Sequence, residues 1–191
     1  PTGLLHDYGE NDSMMFGLIT GSYAKNTAGG VLRKQMSSFN DEVDPQTGEF
    51  SDLSGIVKTL DGLRVTGFGG NYQYDCGWIA SSPMTESSRN CEMWGNPTGE
   101  MMYEGLRYFA GKESPTSAFS ISGSGNTDAE LGLPLATWDD PYDYQPESGE
   151  GFPWCSAPYQ MVISDINPSY DTDQVPGAYA EFGSFSGDLD G

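Results

Sequence analysis

Tyr159-Gln160-Met161-Val162-Ile163-Ser164-Asp165-Ile166-Asn167-Pro168 is the stretch whose reading decides the fold. Tyr159, Met161, Val162 and Ile163 are apolar without clean alternation, which predicts a strand buried on both faces. Asp165 would then lie just past the strand's carboxyl end, where open α/β sheets bind their ligands. Pro168 cannot extend a ladder, so the chain turns there. Asp171, Thr172 and Asp173 follow, and a loop rich in Ser, Thr, Asn and Asp offers hard oxygen ligands suited to Mg or Ca. The plainer use of the same residues is a core strand and a polar loop, with Asp165 capping a turn.

Working outward, Ser13–Tyr23 reads as a buried apolar strand and Val31–Met36 as its partner, joined by the turn chemistry of residues 25–30. Ile56, Val57, Leu60 and Leu63 follow helical spacing, with Ser54 placed to cap and Gly62 weakening the helix. A second helix runs to Gly111, with Met102, Leu106 and Phe109 on one apolar face and Thr98 and Glu100 at its start. Thr98 there is either an ordinary cap or a hydroxyl donor to a site at that helix end. Residues 67–92 and 112–158 read as irregular insertions, and residues 1–13 and 166–191 as loops. In the first insertion, Tyr72, Tyr74 and Trp78 either pack the loop down or form a contact surface.

The chain has 191 residues, 8 Lys plus Arg against 28 Asp plus Glu, and a net charge of −20. Such a field repels nucleic acid and anionic membrane surfaces. No apolar run approaches the roughly 18 residues of a membrane span. The chain opens on Pro1, and Leu4-Leu5 reads as the tail of an earlier element, so we read it as a mature or excised segment. Cys76 and Cys91 flank one Gly/Ser/Pro-rich loop that a disulfide would close, worth roughly 3 kcal/mol by loop entropy. Cys155 is then left over. The three cysteines and the lone His6 do not have zinc-site spacing.

The order strand, strand, helix, Thr-loop with helix, insertion, apolar strand ending in Asp resembles a von Willebrand factor A domain. That resemblance implies a doubly wound α/β sheet with long loop insertions, incomplete at both ends of residues 1–191. It also implies a metal-ion-dependent adhesion site, with Thr98 in the second metal loop and Asp165 in the third. The family's first motif, Asp-x-Ser-x-Ser, has no counterpart here; Asp52-Leu53-Ser54-Gly55-Ile56 departs from it at the last position. A closer likeness covers nearly the whole chain. Phe16-Gly17-Leu18-Ile19-Thr20-Gly21-Ser22-Tyr23, Gly29-Gly30-Val31-Leu32-Arg33-Lys34, Trp94-Gly95-Asn96-Pro97, Leu106-Arg107-Tyr108-Phe109-Ala110-Gly111 and Ser164-Asp165-Ile166-Asn167-Pro168-Ser169-Tyr170-Asp171 are similar to phrases of the PilY/PilC-type type IV pilus tip adhesins. The likeness implies an A-like region, completed by an upstream first strand and followed by a β-propeller. It further implies pilin or minor-pilin partners, a host or abiotic surface receptor, and a place at the pilus tip or cell surface of a Gram-negative bacterium, reached through the periplasm.

Three function classes follow. The first is an adhesion and pilus-assembly module, with the insertions as contact surface. The second is a structural spacer, acidic for solubility. The third is a carboxylate hydrolase using Glu100 with Glu104, or Asp139 with Asp140. With 28 acids such pairs arise by chance, and no Ser/His/Asp constellation accompanies them.

Overall fold

The computed structural model describes residues 3–9, 11–44, 46–51, 54–64, 95–148, 150–164, 168–169, 171 and 174–175. Asp165, Cys76, Cys91, Tyr72, Tyr74 and Trp78 therefore lie outside the described residues, as does the whole 67–92 insertion.

A hairpin is the centre of what is described. β1 (Phe16–Thr20) pairs antiparallel with β2 (Val31–Ser37), as the two apolar runs predict, with Thr20 opposite Val31 and Leu18 opposite Lys34. The register shifts twice between Phe16 and Ile19. Such irregularity adds twist, so the pair curls around what packs on it. Among the described residues these are the two strands of the one sheet.

Arg33 and Lys34 are consecutive in β2 and therefore point to opposite faces. Both are buried, so both faces of the strand are covered, and each face is covered around a cation. On one face Arg33 donates from Nη2 to Asp128 Oδ1 at 2.5 Å, from Nη1 to the Pro134 carbonyl at 3.0 Å, and from Nε to Thr20 Oγ1 at 2.9 Å. On the other face Lys34 Nζ donates to the Ser38 carbonyl at 3.0 Å, to Asp41 Oδ1 at 3.1 Å, and to Glu42 Oε1. A buried charge is tolerated only when paired and fully hydrogen-bonded, and both cations meet that condition.

The apolar core is correspondingly divided into small clusters. Phe39, Val43 and Ile56 gather Leu5, Phe16, Leu18 and Val57 below the hairpin. Ala28, Tyr103 and Phe119 form a second cluster, and Tyr23 with Leu133 a third. Leu5 belongs to α1 (Leu4–Gly9), a helix where the sequence reading had a turn-rich loop. The polar and turn-forming residues that follow Leu5 leave no helical period to count.

α2 (Ile56–Gly62) forms where helical spacing predicts, but Ser54 does not cap it and Leu60 faces solvent. The N-terminus is met from outside instead, by Glu42, whose Oε2 accepts from Val57 N at 2.8 Å. One buried carboxylate thus serves Lys34 and the positive end of a helix together. Thr59 takes the inward position and donates from Oγ1 to the Gly55 carbonyl at 2.7 Å.

Residues 112–158 are loop-rich, as read, but not appended to the body. They hold a short helix, α4 (Thr127–Glu130), capped by the Asn126 side chain, which accepts from Ala129 N. They supply Phe119, Asp128 and Leu133 to the buried clusters, and Ala136 N donates to the Leu32 carbonyl at 3.0 Å alongside β2.

The expectation of a strand buried on both faces at 159–163 is not met within the described residues. Tyr159, Met161, Val162 and Ile163 are all exposed and belong to no ladder. An apolar run reports that burial is favourable, not what will provide it.

Candidate functional site

α3 (Thr98–Phe109) organises the candidate site, and it sits inverted relative to its sequence pattern. Met102 and Leu106, read as the core face, are 44% and 52% exposed. Glu100, Tyr103, Glu104, Arg107 and Tyr108 are buried instead. The reason lies in what the body needs on that side. Glu100 Oε2 accepts from Gly29 N at 2.5 Å and its Oε1 from Gln174 N at 3.1 Å. Glu104 accepts from Thr116 N at 3.1 Å and from the Thr116 hydroxyl, and pairs with Arg107 at 3.3 Å. Arg107 also donates to the Ser114 carbonyl at 2.9 Å and stacks against Trp138. The carboxylates organise loop backbone that has no regular ladder to satisfy it.

Burial pushes the Glu104 carboxyl above its ordinary value, against the opposing pull of the Thr116 hydrogen bonds and Arg107. Tyr108 is likewise pushed up by burial, while its hydroxyl accepts from Met36 N at 3.0 Å. Glu100 and Glu104 share a helix face as the sequence predicts, yet both are fully enclosed and engaged with backbone. Asp139 and Asp140 are engaged locally: Asp139 Oδ2 accepts from Gln35 Nε2 at 2.6 Å, and Asp140 Oδ1 from Tyr142 N at 2.8 Å.

The N-terminus of α3 draws together residues distant in sequence. Asn96 and Ser169 form an antiparallel bridge, exchanging backbone hydrogen bonds at 3.2 and 3.1 Å. Asp171 Oδ1 accepts from Gly99 N, an acid placed at the positive helix end. Thr98 Oγ1 donates to Asn96 Oδ1 at 3.0 Å and lies 3.0 Å from Ser164 Oγ. Asn96 Nδ2 donates to the same Ser164 hydroxyl at 2.7 Å. Sequence reasoning singled out Thr98 and Asp165; the structure brings Thr98 to the residue immediately before Asp165. It adds Asn96 and Ser164 to the cluster, and it sets Asp171, already read from the sequence as part of an oxygen-rich loop, on the Gly99 amide at the same helix end. Asn96 carried a signal that could have found it, since Asn-Pro before a helix is turn chemistry.

The oxygens of Thr98, Asn96 and Ser164 are hard donors, the type that Mg and Ca take, but they are neutral and bonded to one another. Among the described residues no group of three His, Cys, Asp or Glu side chains is placed to hold a metal ion. Cys155 is exposed as a free thiol. No described helix is long and apolar enough to cross a membrane.

These features define an acidic, loop-rich domain whose interior carboxylates hold backbone in place and whose distant loops converge on one helix end. The chain belongs to the family described as "PilY1 homolog, second domain", whose sequence profile matches residues 16–191. It is similar to the "Type IV pilus biogenesis factor PilY1 homolog" of Xylella fastidiosa strain Temecula1, 47% identical over 198 residues. That alignment covers 98% of this chain and 13% of the relative, so the chain spans about an eighth of the relative's length. No solved structure matches it.

Proposed function

We propose that this chain is a contact domain of a type IV pilus biogenesis factor, serving pilus assembly and surface attachment rather than catalysis. Family membership supports the pilus setting. The observation that carries the contact reading is the meeting of Thr98 and Ser164 at the start of α3, Ser164 being the residue that precedes Asp165 in the sequence. Thr98 and Asp165, with Ser164 and Asn96 nearby, would hold Mg or Ca; Asp165 would add the charge that the neutral oxygens lack. A bound ion would supply an electrophilic position for a partner's carboxylate. The reading takes in a von Willebrand factor A-like sheet in the complete protein, with Tyr72, Tyr74 and Trp78 as part of the contact surface.

The partners under this reading are pilin or minor pilins and a host or abiotic surface. The location is the pilus tip or cell surface of a Gram-negative bacterium. A hydrolase is disfavoured because Glu100 and Glu104 are sealed from substrate. A structural spacer is the second reading, favoured by the hydrogen bonds that join Thr98, Asn96 and Ser164 to one another.

Calorimetric titration of Mg and Ca separates the two, using this domain and the longer polypeptide that carries it. Binding that disappears in Thr98→Ala and Asp165→Ala supports the ion site. Silence in both proteins removes it. In the spacer reading, Thr98→Ala lowers thermal stability and leaves pilus-mediated attachment unchanged.

A further inference from the structure

Three basic side chains are buried among the described residues: Arg33, Lys34 and Arg107. Two are guanidiniums, which keep their protons and do not act as nucleophiles. Lys34 carries an amine, and an amine that hands one proton to a carboxylate gains a reactive lone pair. Among the described residues Arg33 pairs with one carboxylate, Asp128, whereas Lys34 faces two, Asp41 and Glu42. The second carboxylate exceeds what charge balance needs.

The two carboxylates sit in different settings. The Glu42 side chain is 1% exposed and that of Asp41 is 51% exposed, with Asp41 Oδ1 3.1 Å from Lys34 Nζ. Phe39 is wholly buried, and its ring centroid lies 5.9 Å from Nζ. Gly55 backs onto the Glu42 carboxyl so closely that a Cβ there would collide with it. The amine and the Glu42 carboxyl therefore meet in a dry, walled space that opens to solvent at Asp41.

The hydrogen bonds around this pair are those an amide needs. Glu42 Oε2 accepts from Val57 N at 2.8 Å, as an amide carbonyl would. Lys34 Nζ donates to the Ser38 carbonyl at 3.0 Å, as an amide N–H would. Joining the two side chains leaves neither group unsatisfied.

We propose that Lys34 and Glu42 condense to an intramolecular isopeptide bond, with Asp41 as the proton carrier. Nζ first passes a proton to Glu42 Oε1, which gives a neutral amine beside a neutral acid. The lone pair of Nζ then attacks Glu42 Cδ, and the N–C bond forms. Asp41 takes a proton from that nitrogen and returns it to Oε1, whose bond to Cδ breaks as water leaves on the solvent side. Asp41 ends as it began, and no oxidant, reductant or external reagent is consumed. Contact between fixed reactants is equivalent to an effective concentration of about 10⁵–10⁸ M. The product also exchanges a buried ion pair, costly to desolvate, for a neutral amide. The bond ties β2 to the residue that meets the N-terminus of α2, and it does not depend on any ion at the start of α3.

A tryptic digest of the full-length polypeptide, read by mass spectrometry after denaturation, decides the matter, because an ion pair dissolves and an amide survives. Lys34 and Lys58 bound a stretch without another Lys or Arg, and a blocked Lys34 is not cut. The expected product is one peptide of residues 34–58, lighter than its sequence by one water, with no backbone fragments from between residues 34 and 42. Cleavage after Lys34, or a peptide of full sequence mass, overturns the proposal. A bond from Lys34 to Asp41 overturns the assignment of acceptor and carrier. In freshly made polypeptide, Asp41→Asn is expected to form the link roughly 100-fold more slowly than the wild type. An unchanged linked fraction overturns the role of Asp41. The wild-type digest stands by itself, whatever the variant does to folding.

Discussion

The β1–β2 hairpin and the outer side of α3 with residues 157–164 are organised in opposite senses. The hairpin buries Arg33 and Lys34 and satisfies both cations with carboxylates and carbonyls drawn from other parts of the chain. The outer side exposes Met102, Leu106, Tyr159, Met161 and Ile163 while its helix turns Glu100, Glu104 and Arg107 inward. The difference teaches that polarity alone does not decide what is inside. In a loop-rich domain, unpaired backbone near the core must be satisfied, and carboxylates on a helix can do it where a ladder cannot.

The sharpest way to break the hairpin's side of the contrast is Asp128→Ala. It leaves Arg33, whose side chain is inaccessible, without its carboxylate, and removes the acceptor for Ala24 N. The expected loss is about 3–5 kcal/mol, read by denaturant unfolding. A loss under about 1 kcal/mol would mean water or another carboxylate replaces Asp128.

Gly29→Ala comes next. Gly29 has φ +50°, and a Cβ there would lie 1.9 Å from Phe119 Cγ, inside the second cluster. Strain and overpacking together are expected to cost about 2–4 kcal/mol in the same assay.

Glu104→Gln tests the carboxylates on α3 through pH. Burial raises the folded carboxyl above the ordinary carboxylate value, so the folded state holds its proton where the unfolded chain has lost it. Glu104 therefore subtracts stability as pH rises from the ordinary carboxylate value through its raised folded value. The melting temperature of the wild type should fall relative to Glu104→Gln across that window. Parallel curves would show that Thr116 and Arg107 fully offset the burial.

The smallest effect is expected on the outer side. Ile163→Ser in residues 1–191 alone should change stability by less than about 0.5 kcal/mol, because the side chain is 88% exposed. A larger loss would mean the segment is already buried within this chain.

The hairpin was legible because two apolar runs flank a turn-rich loop, and local patterning decides such pairing. α2 and α3 were legible as helices, with Gly111 ending the second at φ +73°. Their orientation was not. Periodicity assigned Leu60, Met102 and Leu106 inward, but Thr59 took its place with a hydrogen bond to the Gly55 carbonyl one turn back, and Glu100 and Glu104 took theirs with hydrogen bonds to loop amides outside the helix. Asp128, Phe119 and Leu133 were hidden in a stretch that reads as insertion, since one buried residue at a time gives no period. Thr98 was legible from its place at a helix start, although it is the first helical residue and not the cap, which is Pro97; Ser164 as its neighbour is a tertiary fact that no spacing reports.

Glu100 also bears on the order in which the molecule is made. Its two oxygens take one amide 71 residues earlier and another 74 residues later. The clasp between the beginning and the far part of the domain therefore closes only after residue 174 has been synthesised. Contacts of such separation slow folding relative to hairpin closure. The hairpin can form early as a local unit, but its final enclosure is a late, long-range event.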